Sequence, residues 1–341
     1  MIFIKPSFYD DFKCISSKCT DNCCIGWEID VDDESLLKYN TVSGDFGKRI
    51  KENLISSEDG STCFRLYENE RCAFLNKNNL CDIIINCGEG ALCDICREHP
   101  RFYEWFPGVT ECGLGLCCEE ACRLLIENGF SLVEENDGEE ISLLDKEETA
   151  ESDTYIFIAA FREILFDILS NTELSLEEKI VKILEKTEHF TGERLKLRRD
   201  EKLLNLYLST EPIDDLWSAF IGDMVNKLND ITKQSAQLIT QESNKIYSAV
   251  LSYIIYRHLI KSVFDGCVAQ RLCFCIESLR FIMLSDMKTM AEKGNISLND
   301  RIDNIKRWSK QIEYSEENTE LLIFGDEMNG YNRKNKCNAN A

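Results

Sequence analysis

The stretch Asp153-Thr-Tyr-Ile-Phe-Ile158-Ala-Ala-Phe161-Arg-Glu-Ile-Leu165-Phe-Asp-Ile168-Leu169 decides the fold. Ile158, Phe161, Leu165, Ile168 and Leu169 recur at three- and four-residue steps, which lines them along one helix face. Ser152 and Asp153 are candidate N-caps for it. The period continues downstream. Ser175-Leu-Glu-Glu178 reads as a capping box ahead of Ile180, Ile183 and Leu184. Pro212 stands as a first-turn proline before Leu216, Phe220, Met224 and Leu228. Long helical stretches are expected over 242–264 and 267–292, the second closed by Gly294. Asp300 to Tyr314 forms another amphipathic pattern, carrying Ile302, Ile305, Trp308 and Ile312. The polar tail after Gly330 reads as frayed. Successive helices with short connections predict an all-α bundle.

Outward from this bundle, toward the N-terminus, the composition changes. Fourteen of the 18 cysteines lie in the first 122 of 341 residues. The expected architecture is mainly α: an irregular cysteine-rich metal-binding region followed by a helical bundle. The chain divides into a metal-cluster domain over 1–130 and a helical domain over 150–330. Glu134-Glu-Asn-Asp-Gly-Glu-Glu140 reads as a solvated linker or exposed turn. At 44% hydrophobic residues, most of the chain has enough apolar content to fold.

Met1-Ile-Phe-Ile-Lys-Pro6 lacks the pattern of a secretory leader, and no long apolar run suits a membrane helix. The expectation is a cytoplasmic protein. Reducing conditions there favour metal over disulfides for a dense thiol pattern. Adjacent pairs such as Cys23-Cys24 and Cys117-Cys118 also suit a disulfide framework poorly. The formal net charge of −22 argues against nucleic acid and anionic membrane as partners. It is compatible with a lysine-bearing protein.

Thiolates bind zinc or the irons of iron–sulfur clusters, usually four at a time. Cys14, Cys19, Cys23 and Cys24 lie within eleven residues. Cys93-Asp-Ile-Cys96 has the spacing that lets two sulfurs chelate one centre, and His99-Pro100-Arg101 then redirects the chain. Zinc-finger spacing is absent, as is the bacterial ferredoxin run. Cys19 and Cys23 fit the first step of a C-x3-C-x2-C run, but position 26 is Gly26. Spacing therefore supports a metal and leaves an iron–sulfur cluster, structural zinc and inert thiols open. Cys63, Cys87, Cys112, Cys117 and Cys122 read equally as small buried hydrophobes. Core packing is the reading for Cys267, Cys273 and Cys275, and Cys337 needs no role. Gly88-Glu-Gly90 is a turn between thiol-bearing segments rather than a nucleotide fingerprint. Trp27, Trp105 and Phe106 read as shields around a metal or as a peptide-binding surface. Asp30, Asp32, Asp33 and Glu34 read as a solvated loop.

Several segments resemble the flagellin lysine-N-methylase family. They are Phe12-Lys-Cys14, Cys19-Thr-Asp-Asn-Cys23-Cys24, Gly26-Trp27-Glu-Ile-Asp30, Cys72-Ala-Phe-Leu-Asn76, Leu80-Cys81-Asp-Ile83, Leu92-Cys93-Asp-Ile-Cys96, Pro100-Arg101 and Cys118-Glu-Glu-Ala121. Tyr256-Arg-His258 and Trp308-Ser-Lys-Gln-Ile-Glu-Tyr-Ser-Glu-Glu-Asn318 resemble its C-terminal segments. Glu119 stands where that family carries proline, and Cys117 where it carries serine. The resemblance implies methyl transfer from S-adenosylmethionine to flagellin lysines and a [4Fe-4S] cluster. By matching positions it implies Cys14, Cys19, Cys23, Cys24, Cys72, Cys81, Cys93, Cys96 and Cys118 as ligands. That is more than one cluster takes, so some are structural or two centres exist. A lysine acceptor needs help to lose its proton. Candidates are Tyr256, His258, Glu313 and Tyr314, against the simpler reading of His258 as an ordinary helix histidine. His99 reads as a turn residue or a neighbour of the ligands, and His189 as a helix-end residue. The rival reading is a zinc- or iron-chelating redox scaffold whose helices bind a partner.

Overall fold

The structure is a computed structural model and describes residues 1–56, 60–136, 150–233, 238 and 240–325. Helices dominate it, as expected. The opening helix of the bundle is Ala150–Ser170. It begins ahead of Ser152 and Asp153, which lie within it and do not cap it. Leu176–Thr191 starts at the predicted capping box, where the Ser175 hydroxyl accepts from the Glu178 amide and the Glu178 carboxylate accepts from the Ser175 amide. Helix Asp215–Asn226 is capped by Asp214, whose carboxylate accepts from the Trp217 amide at 2.9 Å. Pro212 therefore lies outside the first turn. The stretch expected over 242–264 is Gln241–Leu259 behind the N-cap Thr240, then the short Ser262–Asp265. Val268–Lys293 ends at Gly294, which takes the left-handed conformation with φ 75°. Leu298–Ile312 opens on a second capping box, Ser297 with Asp300, two residues before the expected start. Asp200–Leu208, the short Leu228–Thr232 and Glu316–Phe324 are further helices of the described residues, and they carry too few apolar repeats to stand out in sequence.

The N-terminal region holds strands that the sequence reading left as loops. A four-stranded sheet has the order Arg101–Phe106, Val109–Leu114, Ile2–Pro6, Leu132–Asn136. Ile2–Pro6 runs parallel to Val109–Leu114 and antiparallel to Leu132–Asn136. Glu134 and Glu135 thus stand in a strand, opposite Ile4 and Phe3; 137–140 lie outside the described residues, as do Cys337 and the tail. The hairpin Arg101–Phe106/Val109–Leu114 needs glycine at 113. A Cβ there would lie 2.5 Å from the Phe102 ring.

Apolar packing groups the chain differently from its order in sequence. One core joins the sheet and the helices, from Phe8, Phe106, Leu114 and Leu125 through Leu165, Tyr253, Leu279 and Trp308. A smaller core holds Ile29, Tyr39, Ile50, Phe64, Phe74 and Ile83 with Cys72 and Cys93, and Cys24, Cys81 and Cys96 pack on it. The smaller core is thus an excursion between the strands Ile2–Pro6 and Arg101–Phe106. No helix among the described residues is long and apolar enough to cross a membrane.

A buried ion pair fastens sheet to bundle. Glu111 and Arg162 are each 1% exposed. The guanidinium donates to both Glu111 oxygens at 2.8 and 2.6 Å and to the Tyr256 carbonyl at 3.1 Å. Tyr155 donates to Glu111 at 2.8 Å. The Tyr256 hydroxyl donates to the carbonyls of Ile4 and Cys112, at 2.8 and 3.0 Å, and so ties two adjacent strands.

Removing either charge strands its partner in the core. Urea denaturation of Glu111→Gln or Arg162→Met should show a loss of about 3–5 kcal/mol, with partial recovery in the double variant. A loss under about 1 kcal/mol in both single variants would contradict this account.

Candidate metal centre and its polar border

The small core gathers thiols through backbone geometry. Cys24 and Cys72 are neighbours because the Cys72 amide donates to the Cys24 carbonyl at 2.9 Å. Cys81 pairs with Leu75 across a bridge, while the Asp82 amide donates to Phe74. Asp32, expected in a solvated loop, instead caps Asp33–Thr41 and also accepts from the Asp94 amide at 2.9 Å. That bond holds the Cys93-Asp94 step. Burial works against the charge of Asp32, but the amides of Asp94 and Ser35 hold its pKa down at about 2.

Cys81, Cys93 and Cys118 share one local design. Each occupies the N-cap position of a helix and is followed by an acidic residue in the first turn. None closes a side-chain capping bond. The repeated Cys-Asp and Cys-Glu steps are the sequence signal of these helix starts.

Five of the expected ligands share the small core: Cys72 and Cys93 lie within it, and Cys24, Cys81 and Cys96 pack against it. The charge of one raises the pKa of another, Cys72 and Cys81 acting on Cys24, and Cys24 and Cys72 on Cys96. In two pairs one thiol favours the charge of the other. Hydrogen bonding from Cys24 lowers the pKa of Cys23, and Cys96 lowers that of Cys93, while Cys24 and Cys96 rise. Burial lifts Cys72 to about 11.

Cys19, Cys23 and Cys118 form a second group, with Cys118 coupled to the other two and lifted to about 12 by burial. Glu119 fastens this group. Its carboxylate accepts from the Thr20 amide and hydroxyl at 2.7 and 2.5 Å and from the Cys19 thiol at 3.6 Å. Cys14 is exposed, and its sulfur accepts from the Ser16 amide at 3.4 Å. Among the described residues, no three His, Cys, Asp or Glu side chains close on a point as the ligands of a single ion do.

A polar network borders the second thiol group. His258 Nε2 donates to Glu313 at 2.9 Å, and Nδ1 is buried without a partner. Arg257 lies 3.3 Å from Glu313 and donates to the Tyr253 hydroxyl at 2.9 Å. Ser309 also donates to Glu313. Burial opposes the Glu313 charge, but Arg257 and His258 more than offset it and hold the carboxyl ionised. Desolvation is the larger effect on His258, whose pKa falls to about 4, so it is neutral at pH 7. Its side chain is shut in at 3% exposure. Tyr314 keeps an exposed ring face while its hydroxyl points inward toward Cys117 and Gly115; a Cβ on Gly115 would lie 2.3 Å from it. His99 Nε2 lies 4.0 Å from Cys117.

Of the four candidate helpers, His258, Glu313 and Tyr314 are therefore brought together. Tyr256 is not, because it belongs to the sheet junction. Tyr253, Arg257, Ser309 and Cys117 were missed as partners. Only the four-residue step from Tyr253 to Arg257 hinted at a shared face. Phe106 stacks on Phe264 at 5.5 Å in the large core, and Trp105 is exposed. His189 lies in the last turn of Leu176–Thr191, which Gly192 ends.

No family model matches the chain, and no solved structure matches it. It is similar to the flagellar biosynthetic protein FliU of Salmonella muenchen, 25% identical over 129 residues, 36% of this chain and 76% of that protein. It is also similar to the lysine-N-methylases of Salmonella choleraesuis and Salmonella typhimurium. Each is 26% identical over 132 residues, 36% of this chain and 32% of the methylase. The match thus spans about a third of those methylases' length.

The neutral, buried His258 has a consequence for stability. The unfolded histidine binds a proton near 6.5 and the folded one near 4, so the unfolded state holds more protons between these values. Stability from this group is present above pH 6.5 and is lost as pH falls toward 4. Urea melts of His258→Gln should show a loss between pH 7 and pH 5 smaller than the parent's by roughly 2 kcal/mol. Equal losses would place the histidine in solvent.

Proposed function

We propose that this chain is a protein-lysine N-methylase that transfers methyl from S-adenosylmethionine to flagellin, with a [4Fe-4S] cluster held by its thiols. The similarity to the Salmonella lysine-N-methylases carries the reading. The FliU likeness, a flagellar name, supports flagellin as the substrate.

What supports a cluster is the chemistry of the donors: Cys72 and Cys93 belong to the small core, and Cys24, Cys81 and Cys96 pack against it. Thiolates are the ligands that cluster irons take. Cys24, Cys72, Cys81, Cys93 and Cys96 would hold it, one more than four irons require. Bound there, it would supply iron able to ligate the amino and carboxylate groups of a methionine derivative.

The chain's own residues handle exclusion and charge. The small core shields the thiols from water, and Asp32 fixes the start of the Cys93–Cys96 segment. Transfer needs the neutral lysine amine. Its nitrogen forms the N–C bond as the donor's C–S bond breaks, the electron pair stays on sulfur, and the amine proton leaves to solvent or a nearby base. His258 and Glu313 lie too deep to receive that proton directly and act by holding Arg257 and the Tyr314 turn in place.

Full-length protein purified without oxygen should be brown, absorb broadly near ~400 nm, and place label from methyl-labelled S-adenosylmethionine on flagellin lysines. Cys72→Ser and Cys93→Ser should cut iron content at least about twofold, whereas Cys275→Ser, buried between helices, should keep it. Colourless protein with stoichiometric zinc would overturn the cluster. Unlabelled flagellin beside an intact cluster would favour the scaffold reading.

A further inference from the structure

The border of the second thiol group already seats one lysine. Lys310 Nζ lies 2.5 Å from an Asp21 carboxylate oxygen and 5.8 Å from the centroid of the Trp27 ring. Tyr314 packs edge-on against Trp27, with ring centroids 5.0 Å apart and planes at 70°. A carboxylate at one end and an aromatic face along the side make a receptor for an alkylammonium group. Lys310 and Tyr314 stand four residues apart at the end of helix Leu298–Ile312, so one helix end supplies both a wall and the occupant.

The opposite wall is pinned. The Asn22 amide donates to the Asp21 carboxylate at 2.9 Å, and Gly26, at φ 79°, donates its amide to the Glu70 carbonyl. The neighbouring ammonium of Lys306 is engaged by Asp303 at 3.1 Å and Glu119 at 3.8 Å, and it also reaches the Asp21 carboxylate at 4.0 Å, a longer contact than that of Lys310. The slot borders the thiols, since Asp21 lies in the chain between Cys19 and Cys23. It is also open to exchange. The Lys310 and Asp21 side chains are 21% and 34% exposed, and a partly solvated pair of this kind is weak enough to be displaced.

We propose that Asp21, Trp27 and Tyr314 form the slot that receives the acceptor lysine of a protein substrate, and that Lys310 fills it in the resting chain. This rests on the methylase reading above. Asp21 and Trp27 recognise the ammonium form, and Lys310 sets the concentration at which a substrate lysine displaces it. The net charge of −22 draws lysine-bearing surfaces toward the slot.

Steady-state methylation of flagellin by the full chain tests the slot. Lys310→Met removes the ammonium seated on Trp27, leaving only the longer Lys306 contact on Asp21, and should lower KM about fivefold; Asp21→Asn should raise KM about tenfold. Lys310→Gln serves if the methionine variant fails to fold. Calorimetric titration with flagellin supplies a readout apart from turnover. Binding should tighten in the Lys310 variants for native flagellin and stay unchanged for flagellin acetylated on its lysines. A KM and Kd indifferent to Lys310 and Asp21, with methyl transfer intact, overturn the slot and leave the methylase reading standing. Binding that responds to Lys310 without any transfer overturns the methylase reading and keeps a lysine-binding slot. A fall in kcat alone in the Lys310 variants would mark a structural role and overturn the slot.

Discussion

The Glu111–Arg162 pair constrains everything that follows. A carboxylate and a guanidinium removed from water cost far more than their attraction returns unless every oxygen is matched. Here the match is made with parts from distant segments: a strand, the first bundle helix, and a carbonyl of helix Gln241–Leu259. The strand Val109–Leu114 can therefore occupy only one position against the bundle. That strand leads directly into Gly115 to Cys118, so fixing it also fixes where Cys117 and Cys118 meet Tyr314 and the Cys19 loop.

The small thiol core is suspended from this fixed frame. Its chain leaves after the strand Ile2–Pro6 and returns at Arg101–Phe106, two strands of one sheet. The return brings His99 to within 4.0 Å of Cys117, and from the helix Leu298–Ile312 side Lys306 and Lys310 reach across to Asp21 and Glu119. Glu119 has a clear structural use at this seam. Its carboxylate holds the Cys19–Thr20 turn.

Legibility in the sequence followed periodicity. Helices with a long apolar stripe, such as Ala150–Ser170 and Val268–Lys293, were readable because a one-dimensional period reports a buried face. The sheet was not readable. Its strands are five or six residues long, and Val109–Leu114 buries a glutamate and a threonine that look like surface residues. Helix starts shifted where an alternative cap won, as at Asp214 and Ser297. In the candidate site, the nine cysteines were singled out by the family resemblance; that Cys72 and Cys93 lie in one small core, with Cys24, Cys81 and Cys96 packed on it, is what the fold adds. The grouping of Cys118 with Cys19 and Cys23 was invisible, since 94 residues of chain lie between Cys23 and Cys118.

By itself, then, the amino-acid order determined the helical class, the course of the longer helices and the residues able to carry sulfur chemistry. These depend on local period, on capping atoms a few residues away, and on side-chain identity. The tertiary structure alone decided which sulfurs are neighbours, that Tyr256 serves the sheet while Glu313 serves His258, and that Lys310 lies on Trp27. Each of those pairings joins segments far apart in the chain, and only a closed core with its buried charges matched brings them within bonding distance.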